Sequence, residues 1–265
     1  MLISWFFKQK QAYWLASADV HQQAIKENHQ LGFNDAIPLF HGEQFKEVMP
    51  LSPWLIPAQE SLNHVAQETF DNGIVFVSDS DIWDVIKHLR SMLYAALDGE
   101  EVLFRFYDPN VLAPMFATFT QDEINAFLGN GQHIAIMQEQ ELKIYRNHSQ
   151  LPFQLIKATW WKIKPHHLEP LYKVEAHARA IERRLWERMP EQINQFESPS
   201  LTLQKILQQA IDNGASVDKA EQAVLVAFAQ QTGVDYWELS QALFLDDNDV
   251  QLLKEIEKEM ALWEC

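Results

Sequence analysis

Arg105 is the residue whose setting most invites a chemical reading. It stands among four apolar neighbours in Leu103-Phe104-Arg105-Phe106-Tyr107, and Asp108-Pro109 follows. An unpaired guanidinium is costly to bury. Arg105 is therefore expected either to pair with Asp108 or another acid, or to reach the sheet edge as a partner-binding group. In the second case it lies at the C-terminal end of a strand, where α/β sheets place binding groups. A second basic group is Arg179, Arg183, Arg184 and Arg188. Glu175 and Arg179 are four apart, so part of that cluster is pairing on a helix surface. The alternatives are an acidic partner surface or a contact back to the first lobe. Trp160, Trp161 and Trp186 read as packing between lobes or as aromatic anchors of a partner site.

Other groups resolve into structure. His166-His167 with Glu169 has metal-binding residue types, but adjacent histidines beside prolines rarely converge, and a metal needs three or four ligands in fixed geometry. Asp246-Asp247-Asn248-Asp249 lacks the spacing, the turn glycine and the terminal Glu of a calcium loop. It reads as a helix N-terminus, as do Asp79 and Asp81. Gly129-Asn130-Gly131 is a lone turn. The chain has no P-loop, no G-x-S-x-G elbow and no H-E-x-x-H helix. No catalytic group, cofactor or metal is expected.

The elements that must position these residues alternate at first. Residues 13–16 read as a strand and 18–28 as a helix. Residues 38–57 carry four prolines and Gly42 and must be irregular, with Trp54-Leu55-Ile56 extended. Residues 61–70 read as one helix, with Leu62, Val65, Ala66 and Phe70 on a face. Residues 74–77 form an apolar run of strand length, and residues 78–81 cap a further helix. That helix runs on to Leu97 or gives way to a hairpin strand before the Asp98-Gly99 turn. Residues 102–107 read as a strand in a buried sheet. Asp108 caps a short helix that Pro109 begins. Thr120 and Glu123 make a capping box for another, which Gly129 closes. Residues 133–138 and 141–145 read as a last pair of strands.

Beyond Asn147 the pattern changes. Prolines 152, 165 and 170 punctuate a connection, and then five amphipathic helices follow. The expected fold class is α+β or α/β: a mixed lobe over residues 1–147, a linker over 148–170, and a small all-helical lobe over 171–265.

A net charge of −16 argues against nucleic acid and anionic membranes as partners. The one cysteine, Cys265, excludes a disulfide framework and a zinc cluster. The apolar start is far shorter than the roughly 20 residues of a membrane span. It also has no signal-peptide cleavage site, and a cytoplasmic protein is expected.

The stretch from Asp98 through Leu103-Phe104-Arg105-Phe106-Tyr107-Asp108-Pro109 to the Thr120 helix resembles the signature of a bacterial family. That family is the effector adaptor, or chaperone, domain of type VI secretion systems, at first catalogued as a domain of unknown function. Asp98, Gly99 and residues 103–109 match its pattern in order, and Leu39-Phe40-His41-Gly42 is similar to a second segment. Asn110 stands where many members carry Arg, so no role of that basic position carries over. The looser resemblance spans about residues 11 to 145. It implies a non-enzymatic cytoplasmic adaptor that binds a toxin effector and loads it onto the valine-glycine-repeat spike protein. Binding is then expected in the crevice between the lobes, with Arg105, Tyr107 and Asp108 near its wall. The helical lobe, with Arg179, Arg183 and Trp186, is expected to choose the effector. The alternatives are a hydrolase-like α/β enzyme, which needs a deep pocket of converging polar groups, and a general interaction scaffold.

Overall fold

Alternation along the strands builds the first unit. The computed structural model describes residues 1–156 and 158–263, so Cys265 lies outside the described residues. The chain divides into two units, Met1–Leu171 and Tyr172–Cys265. In the first, α1 (Leu2–Phe6), β1 (Ala12–Ala16), α2 (Ala18–Glu27), β2 (Ile37–Pro38) and β3 (Trp54–Pro57) lead to α3 (Gln67–Asp71) and β4 (Ile74–Val77). Then come α4 (Ile82–Ser91), β5 (Tyr94–Leu97), β6 (Glu100–Leu103), α5 (Pro109–Phe116), α6 (Gln121–Leu128), β7 (His133–Gln138), β8 (Glu141–Arg146) and α7 (Pro165–Leu168).

Six strands form one sheet in the order β2-β3-β1-β4-β7-β8, and every pair is antiparallel. Register separates the two faces. Ile56, Trp14, Val75, Ala135 and Ile144 make one row, packed with α1, α2 and α3. Phe76, Ile134 and Tyr145 make a row on the other face, packed with α4, α5 and α6. Both faces are covered, so β1 and β4 are buried at every position. This explains why residues 74–77 read as a continuous apolar run.

Several expectations hold. Asp81 caps α4 by accepting the N–H of Trp83 at 2.8 Å. The hairpin alternative is the one that forms: Asp98 and Gly99 have φ of 50° and 88°, and the turn joins β5 to β6. Thr120 and Glu123 form the capping box of α6.

Two expectations fail. Residues 102–107 are not a strand of the buried sheet. Among the described residues β6 stops at Leu103 and pairs only with β5; the Phe104 N–H still donates to the Leu93 carbonyl at 2.8 Å, and the chain then turns, with the Asp108 N–H donating to the carbonyl of Arg105 at 3.0 Å. Phe104 and Phe106 are buried as core anchors instead. Residues 61–70 are not one helix either. A 3-10 turn over Glu60–His64 is followed by extended Val65 and Ala66, and then by α3. The Glu27 carboxylate accepts the Ala66 N–H at 2.8 Å and the Thr69 hydroxyl at 2.7 Å. These bonds start a new helix where local periodicity continued an old one.

Residues 160–163 pack within the first unit. Trp161 is buried in its core, the Ala96 N–H donates to the Trp161 carbonyl, and the Ile163 N–H donates to the Ala96 carbonyl, both at 2.9 Å.

The second unit is helical: α8 (Val174–Arg188), α9 (Pro190–Ile193), α10 (Pro199–Asp212), α11 (Val217–Thr232), α12 (Tyr236–Leu243) and α13 (Asp247–Trp263). Helix α11 supplies the centre of its core with Val224, Leu225, Val226 and Phe228. Ser216 caps its start, and Gly233, at φ 74°, closes it. No helix of the described residues is long and apolar enough to cross a membrane.

Candidate partner-binding surfaces

The motif around Arg105 forms a corner between β6 and α5. Arg105 donates from Nη2 to Asp108 Oδ2 at 2.7 Å, and Asp108 Oδ1 accepts the Asn110 N–H at 3.0 Å. One carboxylate therefore pairs the guanidinium and caps α5. The Arg105 side chain is 61% exposed and that of Asp108 18%. Arg105 thus presents a charge at the surface, outside the main sheet. Tyr107 is buried, with Phe40 and Phe106 at ring distances of 6.3 and 5.8 Å. Burial raises its pKa, and the ring supports the corner from inside.

A cleft of about 560 Å³ lies between the start of β1 and the start of α4. Lys10, Tyr13, Asp35, Ile82 and Trp83 line it, and Trp83 is exposed. A smaller cleft, about 260 Å³, is lined by His88, Asn125, Gly129, Phe153 and Trp160. His88 is fully buried there, and its Nε2 donates to the Phe127 carbonyl at 2.9 Å. A carbonyl only accepts, so Nε2 carries the proton. Burial pushes the pKa of this ring down to about 4.

Sequence reasoning paired His166 and His167 with Glu169. The structure brings them to Glu123 instead. His166 Nε2 lies 3.4 Å from Glu123 Oε2, His167 Nε2 lies 3.3 Å from Oε1, and Lys164 Nζ lies 2.6 Å from Oε1. These residues have the types and proximity of a metal cluster. The donor set does not fit one. His167 Nδ1 accepts the Lys164 N–H at 3.1 Å, so the ring proton is on Nε2, the atom that faces the carboxylate. The ammonium of Lys164 already neutralises that carboxylate. Burial raises the Glu123 pKa, but hydrogen bonds from Lys164, the Thr120 backbone and His166 outweigh it and hold the group well below the usual carboxylate range. The arrangement is a clasp that ties residues 164–167 to α6.

In the second unit Arg179, Arg183 and Trp186 fall four and three apart on α8, hence on one face, and all three are exposed. Arg179 donates to its own helix, at the Glu175 carbonyl. Arg184 turns inward to Glu221 at 2.7 Å, where His177 also binds at 2.9 Å. Arg188 lies over the ring of Phe244 at 4.8 Å. Sequence reasoning missed Trp237 and Phe244, 73% and 74% exposed. Trp237 lies on α12 and Phe244 at its C-cap, so no helical periodicity joined them in the sequence. Phe244 also takes φ 58°, which is uncommon for a bulky residue.

Residues 12–126 match a family described as a domain of unknown function (DUF4123), which covers less than half of the chain. No curated protein matches the chain, and no solved structure does.

Proposed function

We propose that this chain is a non-enzymatic adaptor of type VI secretion, which holds a toxin effector in the cytoplasm and loads it onto the valine-glycine-repeat spike protein. The observation that carries the reading is the match over residues 12–126. That domain is known in adaptors associated with type VI effectors, and the corner made by residues 98–109 lies inside it. The surfaces suit the task. Arg105 offers a charge at the corner, held by Asp108 and backed by Tyr107. Arg179, Arg183 and Trp186 offer two charges and an aromatic anchor on one helix face. Tryptophan and arginine are the residues most enriched among those that dominate protein interfaces.

Deletion of the gene in the producing bacterium tests the reading. Secretion of one toxin should stop while the spike protein is still released. Undiminished secretion of every toxin contradicts it.

A further inference from the structure

Among the described residues, the main sheet has one long edge without a partner strand. β8 pairs only with β7. Their register places His133 opposite Arg146 and Gln138 opposite Glu141. The pair just beyond, Gln132 and Asn147, is hydrogen-bonded: the Asn147 N–H donates to the Gln132 carbonyl at 2.9 Å. Bonded and non-bonded pairs alternate in an antiparallel ladder. Counting along β8, Tyr145, Lys143 and Glu141 bond to β7, while Leu142, Ile144 and Arg146 turn their N–H and C=O groups outward. The Arg146 carbonyl accepts Gln121 Nε2 at 2.9 Å, in agreement with this count. Among the described residues, the outward groups of Leu142 and Ile144 have no partner strand.

The other edges are blunted, as folded proteins usually manage them. β2 is two residues long, one of them Pro38, and Arg90 donates to the carbonyls of Pro38 and Leu39 at 3.0 Å each. Residues 161–163 cover β5. β6 is four residues long and carries Glu100 and Glu101. β8 is six residues long and, among the described residues, has neither proline nor bulge; it too carries charge, at Glu141, Lys143 and Arg146, and Gln121 takes its Arg146 carbonyl, but the backbone of Leu142 and Ile144 is left open. Its side chains agree. The apolar row Ile56, Trp14, Val75 and Ala135 ends at Ile144, which is half-buried, as is Leu142 beside it.

We propose that β8 receives an extended strand of a partner protein as the seventh strand of the sheet. The backbone of Leu142 and Ile144 hydrogen-bonds it, and an apolar side chain of the partner extends the row at Ile144. Only an extended backbone offers donors and acceptors at every second residue along such an edge. A second copy of the chain is disfavoured, because two bodies of charge −16 repel. The partner's identity rests on the adaptor reading; the geometry does not.

The test is NMR-detected amide exchange on the full chain, alone and with purified spike protein or the toxin from the same cells. Leu142 and Ile144 amides should exchange fast in the free chain and slow strongly with one of the two. Ile144→Pro removes an N–H that the fold does not use. It should weaken binding by about tenfold, the worth of one or two hydrogen bonds, whereas Ile144→Val, which keeps both the N–H and an apolar side chain, should weaken it far less. Binding with both amides unchanged overturns this inference and leaves the adaptor reading standing. Binding of neither protein overturns both. Dimerisation through β8, read by light scattering and the same amides, overturns the choice of occupant. The amide measurement on the unaltered chain decides the matter even if Ile144→Pro fails to fold.

Discussion

Asp108 serves Arg105 and the helix behind it with the same carboxylate: Oδ2 takes the guanidinium at 2.7 Å while Oδ1 takes the Asn110 N–H at 3.0 Å. The two residues therefore contribute unequally. Asp108→Ala loses a helix cap and should cost about 1 kcal/mol or somewhat more. Arg105→Ala loses only an exposed ion pair and should cost roughly 0.5 kcal/mol or less. Asp108→Asn keeps the cap and should recover most of the loss. Urea midpoints of the three variants check this; equal costs for Arg105 and Asp108 contradict it.

Gly129 closes α6 at φ 55°, and an added Cβ would meet His88 Cε1 at 2.5 Å and Phe153 at 2.8 Å. Both the backbone and the space exclude a side chain. Gly129→Ala should destabilise the first unit by about 2 kcal/mol or more. Thermal unfolding reads it, and an unchanged midpoint contradicts the packing described.

His88 and His21 are both pushed by burial from 6.5 to about 4. Their folded values lie below the unfolded one. Stability is therefore full above about pH 6.5 and falls as the pH drops toward 4, because the unfolded chain takes up protons first. His88→Gln removes one of these groups and should flatten the fall between pH 6.5 and 4.5. Urea unfolding across that range measures it; an unchanged slope contradicts the burial argument.

The Glu123 clasp has its own pH window. Its carboxyl is depressed, so its contribution is full above the ordinary value of 4.5 and is lost as the pH falls below it. Glu123→Gln should cost about 1–3 kcal/mol at neutral pH, and the gap to the unaltered chain should narrow in acid. Circular dichroism of urea unfolding at pH 7 and pH 3.5 tests this. A gap that widens in acid contradicts the clasp.

What was legible in the sequence was local. Caps and turns such as Thr120 with Glu123, or Asp98 with Gly99, lie within four residues of their partners, and the backbone obeys them. Strand direction was not legible. The run at residues 74–77 looks the same in a parallel sheet and in an antiparallel one with helices on both faces. The aromatic residues at 104 and 106 signalled burial, and burial was mistaken for pairing. Glu123 meets Lys164 across 41 residues, so no periodicity could connect them. The expected surface residues divide likewise. Arg105, Arg179, Arg183 and Trp186 are exposed, while Tyr107 lies inside because its neighbours Phe40 and Phe106 enclose it.

Exposed anchors on α8 should matter to binding and little to folding. Arg183→Ala with Trp186→Ala should leave the melting temperature nearly unchanged, since neither side chain is buried. The same double variant should weaken capture of the toxin by about tenfold or more. Titration of the toxin by interferometry, beside a melting curve, checks both halves. Unaltered affinity removes α8 from the partner surface.

The central claim is that this chain holds proteins and does not transform a substrate. Affinity capture with the tagged full chain from the producing cells, followed by mass spectrometry, tests it most directly. A valine-glycine-repeat spike protein and a toxin should be recovered together, above an untagged control. Recovery of neither contradicts the account.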